Sequence, residues 1–192
     1  MQIGDIIYGV LFEPGQTFSR LGFERERAGL AALVFIGVFI VDHISAQAIS
    51  IHKPSVIAVP AFVTGWFWGL KLVFSGLFLL TMSGIISILG ECFYQKSNGL
   101  GLLIALGFTV LPLVFGAPVH YALILIGFPA LGMVFSALAI LWVIVLQIIS
   151  IKAAMELDTV PAIALYFSPV IILGLAGIMI LFTGLVFGRL FS

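Results

Sequence analysis

Long apolar stretches separated by short polar breaks organise this chain. From Ala28 to about Ala48 the sequence reads AGLAALVFIGVFIVDHISAQA, which at about 1.5 Å per residue crosses a hydrocarbon core of about 30 Å. A second apolar stretch runs from about Phe62 to Leu89 and is interrupted by a single charge, Lys71. The third, Leu100 to Ile126, contains Pro112 and Pro118. Each proline removes a backbone donor and favours a kink, so the stretch is read as one bent span. Gly127, Phe128 and Pro129 read as a turn, followed by a fourth span from about Leu131 to Ile151. Lys152, Glu156, Asp158 and Pro161 form a short polar loop before a fifth span, about Ala162 to Phe187. The pattern predicts an all-α fold, a polytopic transmembrane helical bundle of five spans, with residues 28–190 as the membrane domain.

Residues 1–27 precede it. Ile3, Ile6, Ile7, Val10 and Leu11 recur at helical spacing, and Pro14 is expected to end that helix. Two readings fit equally: an amphipathic helix lying on the membrane, or a terminal helix packed against the bundle. Asp5, Glu13, Glu24 and Glu26 fall in this segment, and it lacks a basic start followed by an apolar core and a cleavage site. The expectation is therefore no cleaved signal peptide, with the first span acting as the insertion signal.

Composition agrees with the pattern. Of 192 residues, 62% are hydrophobic and 8% charged, and the mean hydropathy is +1.32. That is too little polar surface for a water-soluble globule, so the lipid bilayer is the expected environment. The formal net charge is zero and no basic run is present, which speaks against nucleic acid as a partner. Basic residues also orient the spans. With the amino terminus inside, Arg20, Arg25, Arg27, Lys96 and Lys152 are cytoplasmic, Lys53 and Arg189 external, and Lys71 intramembrane. Cytoplasmic loops are enriched in Lys and Arg. The expectation is a cell inner (cytoplasmic) membrane protein with its amino terminus cytoplasmic and its carboxyl terminus external.

Little in the sequence points to catalysis. An intramembrane protease needs paired aspartates, a Gly-x-Ser-Gly serine with a histidine, or His-Glu-x-x-His, because each chemistry sets a base or metal beside its nucleophile. Asp42 is the one aspartate within a span, and Ser75 and Ser83 lack the preceding glycine. His43, His52 and His120 are irregularly spaced, and Cys92 is alone. They are read as interfacial or structural residues, with no metal, no cofactor and no catalytic residue expected.

The polar residues inside the spans carry more information. Counting from Arg27, Asp42 lies about 22 Å along span one. Lys71 lies about 5 Å inside the aromatic belt begun by Trp66, Phe67 and Trp68. The two are near one depth on sequential antiparallel spans, so they are expected to pair and to face the bundle interior. Tyr94 suits the opposite aromatic belt, and Gln147 is read as an interhelical hydrogen bond. Small residues recur at helix-contact spacing at Gly65 and Gly69, Ser83 and Ser87, Gly101 and Ala105, and Gly184 and Gly188. They let backbones approach closely and are read as packing within the chain, with contact between two chains as the alternative.

The segment FEPGQTF at residues 12–18, the five-span count, and the polar break GECFYQKSNG at residues 90–99 ahead of Leu111-Pro112 form a recognisable set. Leu141-Trp142, the run IKAAMEL at residues 151–157, and Pro161-Ala162 complete it. With these residues the chain resembles the Yip domain family of Ypt-interacting membrane proteins, in its prokaryotic form. The resemblance implies a non-enzymatic multi-pass protein acting through membrane-protein or lipid contacts, in membrane organisation or traffic. In eukaryotic members it implies association with small prenylated GTPases. The long polar amino-terminal region typical of those members is not in this sequence, so a GTPase partner is doubtful here. A membrane-protein partner or a homo-oligomer is the expected company. The alternative is a small transporter or channel subunit, which would need Ser75, Ser83, Thr109 or Ser136 to line a wet path near the midplane.

Overall fold

The computed structural model describes residues 3–21, 25–52 and 61–190. Eight helices lie among them: α1 Ile3–Phe12, α2 Pro14–Arg20, α3 Glu26–His52, α4 Ala61–Tyr94, α5 Gly99–Phe108, α6 Leu113–Leu125, α7 Pro129–Ala154 and α8 Thr159–Leu190. No strand occurs among the described residues. Five stretches are long and apolar enough to cross a membrane: Glu26–Ile49, Gly65–Tyr94, Gly99–Leu125, Pro129–Ala154 and Thr159–Thr183. The second span runs further than the hydropathy implies, since Glu91, Cys92, Phe93 and Tyr94 add one more turn.

The third span is the post around which the others stand. In its most apolar window 67% of residues are buried, against 11–17% in the other four spans. It consists of two helices, because the chain breaks between Phe108 and Leu113. Pro112 supplies no N–H there, and the turn tightens into three-residue steps: Thr109 N–H to the Leu106 carbonyl, Leu111 to Phe108 and Leu113 to Val110. Thr109 is fully buried, and its hydroxyl donates to the Leu106 carbonyl at 2.7 Å. Irregular backbone at membrane depth is tolerated only where protein surrounds it, and this break is buried throughout.

The covering of the break comes partly from the amino-terminal segment. α1 and α2 are nearly continuous, bent at Glu13 (φ −132°, ψ 53°), with Pro14 in the first helical turn where its missing donor costs nothing. Ile6, Val10, Phe18 and Leu21 of this segment share a core with Ala31 and Val38 of α3, Ile104, Ala105 and Phe108 of α5, Val110 and Leu111 of the break, and Leu146 of α7. Of the two readings open for α1, packing against the bundle is the one observed. Gly9 permits the bend to close: a Cβ there would run into the Thr17 side chain.

A second core lies at the end of the bundle that carries Lys96 and Lys152, called here the basic end. It joins Ile86 of α4, Leu102 of α5, Ile151 and Ala154 of α7, and Ala162 and Leu165 of α8. Large apolar side chains such as Phe74 and Phe78 on α4, Phe135 on α7 and Ile180 on α8 are exposed, as surfaces in contact with lipid are. α3 and α4 are sequential, yet they meet sparsely because α5 is wedged between them.

Candidate functional site: a lateral groove and its polar ends

The wedge leaves a groove of about 350 Å3 that opens sideways. One wall is Ala28, Ala31, Ala32, Phe35 and Ile36 of α3, and the other is Leu72, Gly76, Leu79 and Leu80 of α4. Its floor is Leu103, Ile104 and Gly107 of α5. The floor comes close because Gly107 has no side chain: a Cβ there would sit 3.1 Å from that of Ala31. The lining offers no ionisable or hydroxyl side chain, so the groove is dry.

Beyond its far end, past Ile36 of α3 and Leu72 of α4, lies the pair of charges expected from the sequence. Lys71 Nζ donates to Asp42 Oδ2 at 2.8 Å and lies 5.6 Å from the centroid of the Phe39 ring. Trp68 Nε1 donates to the Phe39 carbonyl at 3.3 Å, and the His43 ring packs 4.9 Å from that of Trp68. The expectation that this pair faces the interior is not met. The Lys71 side chain is 56% exposed and that of Asp42 35%. Trp66 and Phe67 point outward while Trp68 turns onto α3.

The opposite mouth begins at Ala28, next to Arg27 and Arg25. Arg27 carries a buried Nη1 with no hydrogen-bond partner, and Arg25 is exposed.

A second polar cluster ties the loops at the basic end. α4 ends on Gln95 in the left-handed region (φ 56°), whose N–H bonds to the Glu91 carbonyl at 3.1 Å. α7 ends similarly on Glu156 (φ 51°), with the Leu157 N–H reaching the Lys152 carbonyl at 3.0 Å. Lys96 Nζ donates to the Glu156 carbonyl at 2.7 Å. Asn98 caps α5 by accepting from the Gly101 N–H at 2.8 Å, while its Nδ2 donates to the Ala154 carbonyl at 3.0 Å. Gly90 lets these loops meet, since a Cβ there would strike the Met155 side chain and lie 2.8 Å from the Lys96 carbonyl. Asn98 was not singled out from the sequence. Its signal was an Asn immediately before the Gly99 at which α5 begins.

The other sequence candidates divide. Ser83 of α4 is buried and Ser87 faces Gly99 of α5, while Gly101 lies against the Asn98 side chain and Ala105 is buried in the core shared with α1, α2, α3 and α7. Gly65 and Gly69 have nothing within 4 Å of a Cβ built on them, so this pair packs against no other described helix. The surroundings of Gly184 and Gly188 lie outside the described residues, as do those of His52. Close approach is instead supplied by Gly116 against Ala139 and by Gly132 against His120, both between α6 and α7. Gln147 accepts from the Tyr166 hydroxyl at 2.9 Å, linking α7 to α8. His43 accepts from Gln47 at 3.0 Å. Among the described residues no three His, Cys, Asp or Glu side chains converge as a metal site would require.

Comparison with curated proteins and with solved structures returned no match. The family comparison did, and its residues include both the hairpin segment around Pro14 and the tied loops of the basic end. The model of the Yip1 domain matches residues 8–181, nearly the whole chain, and the protein therefore belongs to the Yip1 domain family.

Proposed function

We propose that this Yip1 domain protein is non-enzymatic and acts by contact with lipid or with other membrane proteins. The observation that carries the reading is the dry lateral groove, walled by small side chains and open to the side rather than from end to end. A transporter would need polar groups from several spans to meet at mid-depth. Three of the four hydroxyls that could do so are bonded to backbone carbonyls instead. Ser83 donates to the Leu80 carbonyl, Thr109 to Leu106, and Ser136 of α7 to Gly116 of α6. We place the basic end in the cytoplasm of a cell with the protein in its inner membrane, on the strength of the five basic residues assigned to that side against two on the other. Liposomes reconstituted with the full chain and loaded with dyes for protons and potassium test the reading. Leak no faster than in empty liposomes is expected. A saturable flux lost on Ser83→Leu or Thr109→Val would establish transport instead.

A further inference from the structure

The groove is an apolar slot between α3 and α4, floored by α5. Its α3 wall runs from Ala28 to Ile36, a length of about 12 Å at 1.5 Å per residue. An unfilled gap of this size forfeits dispersion contacts on every wall, and in a bilayer the filler at hand is an acyl chain. The two ends differ in a way that gives the chain a direction. Beyond the far end, past Ile36 and Leu72, lie Trp68 and the Asp42–Lys71 pair. At the other end, one and three residues before Ala28 in the chain, come Arg27, whose buried Nη1 has no partner, and the exposed Arg25. A cation with an unsatisfied donor beside the mouth of an apolar slot calls for an anion joined to an apolar tail.

From this we infer that the α3–α4–α5 groove binds one acyl chain of an anionic phospholipid, with the headgroup phosphate at Arg25 and Arg27. This deepens the contact function proposed above and rests on it. Such a lipid would act as a removable filler that sets how far α3 and α4 stand apart.

The full chain is reconstituted in nanodiscs of phosphatidylcholine containing a small fraction of phosphatidylglycerol with a diazirine near the end of one acyl chain. After illumination the adducts are mapped by mass spectrometry. Labelling is expected to concentrate on Ile36, Leu72 and Gly76, with little on Phe74 and Phe78, which are exposed on the opposite face of α4. Gly76→Leu fills the slot, and because nothing lies within 4 Å of a Cβ at Gly76 the variant folds. It should cut groove labelling at least fivefold. Arg27→Gln should erase a several-fold preference for the phosphatidylglycerol probe over its phosphatidylcholine counterpart. Labelling spread evenly around α4, or unchanged by Gly76→Leu, or equal for the two headgroups in the unaltered chain, would overturn the site. A disulfide-linked dimer of Gly76→Cys in a Cys92→Ser background would assign the groove to a second copy and overturn it too. Even labelling together with no ion flux would remove the lipid site alone. Ion flux together with groove labelling would remove the contact function and keep the site.

Discussion

Replacing Asn98 with alanine removes two hydrogen bonds that hold three segments together. The first caps α5: the side-chain oxygen accepts from the Gly101 N–H at 2.8 Å, and losing such a cap costs about 1 kcal/mol. The second runs from Nδ2 to the carbonyl of Ala154, at the last turn of α7, over 3.0 Å. Ala154 is buried, so its carbonyl gains no water when the donor goes, and the loss is about 1–2 kcal/mol. Asn98→Ala is therefore expected to destabilise by about 2–3 kcal/mol. Asn98→Asp separates the parts. It keeps an acceptor at the cap, where a negative charge is favoured by the helix dipole, and loses only the donor, for a cost of about 1–2 kcal/mol. Unfolding in mixed micelles titrated with dodecyl sulfate, followed by circular dichroism, measures both. The order unaltered, Asp, Ala is required. An Ala variant within about 0.5 kcal/mol of the parent, or an Asp variant no more stable than the Ala one, would refute the double role of Asn98.

Two further outcomes follow from the geometry. Asp42→Asn and Lys71→Met should each destabilise the detergent-solubilised protein, because each strands a charge at the rim of the bilayer, and the double change should recover much of the loss; strictly additive midpoints would show that the 2.8 Å pair carries no coupling. Cys92, exposed on the last turn of α4, should resist a membrane-impermeant thiol reagent in intact cells and react in inverted vesicles. Labelling from outside would reverse the proposed orientation.

The number of spans was legible because about 20 apolar residues in a row have few other uses, and the boundaries followed to within a turn or so except at the end of α4. The pairing of Asp42 with Lys71 was legible from depth alone. Which way the pair faces was not, since that depends on α5 standing between α3 and α4, a tertiary fact. Glycine roles were half legible for the same reason. A span that is apolar all round does not announce its inner face, so the spacing of Gly65 and Gly69 looked as good as that of Gly101 and Ala105, and Gly107 and Gly116 formed no pair that spacing would flag. The groove was invisible, being made of Ala, Gly, Leu and Ile drawn from three spans.

The bent hairpin of α1 and α2 carries a consequence for how the protein is made. Its apolar face is seated among α3, the break of the third span and α7, and α7 begins only at Pro129. A chain emerging from the ribosome amino terminus first has thus produced Ile6, Val10 and Phe18 more than a hundred residues before the last piece of their socket exists. Until the fourth span is inserted, the hairpin's socket is incomplete, while Tyr8 and Phe12 on its other face are exposed and suited to the membrane surface. A segment made ahead of the first span is in this way completed late, once the fourth span supplies Leu146 to its socket.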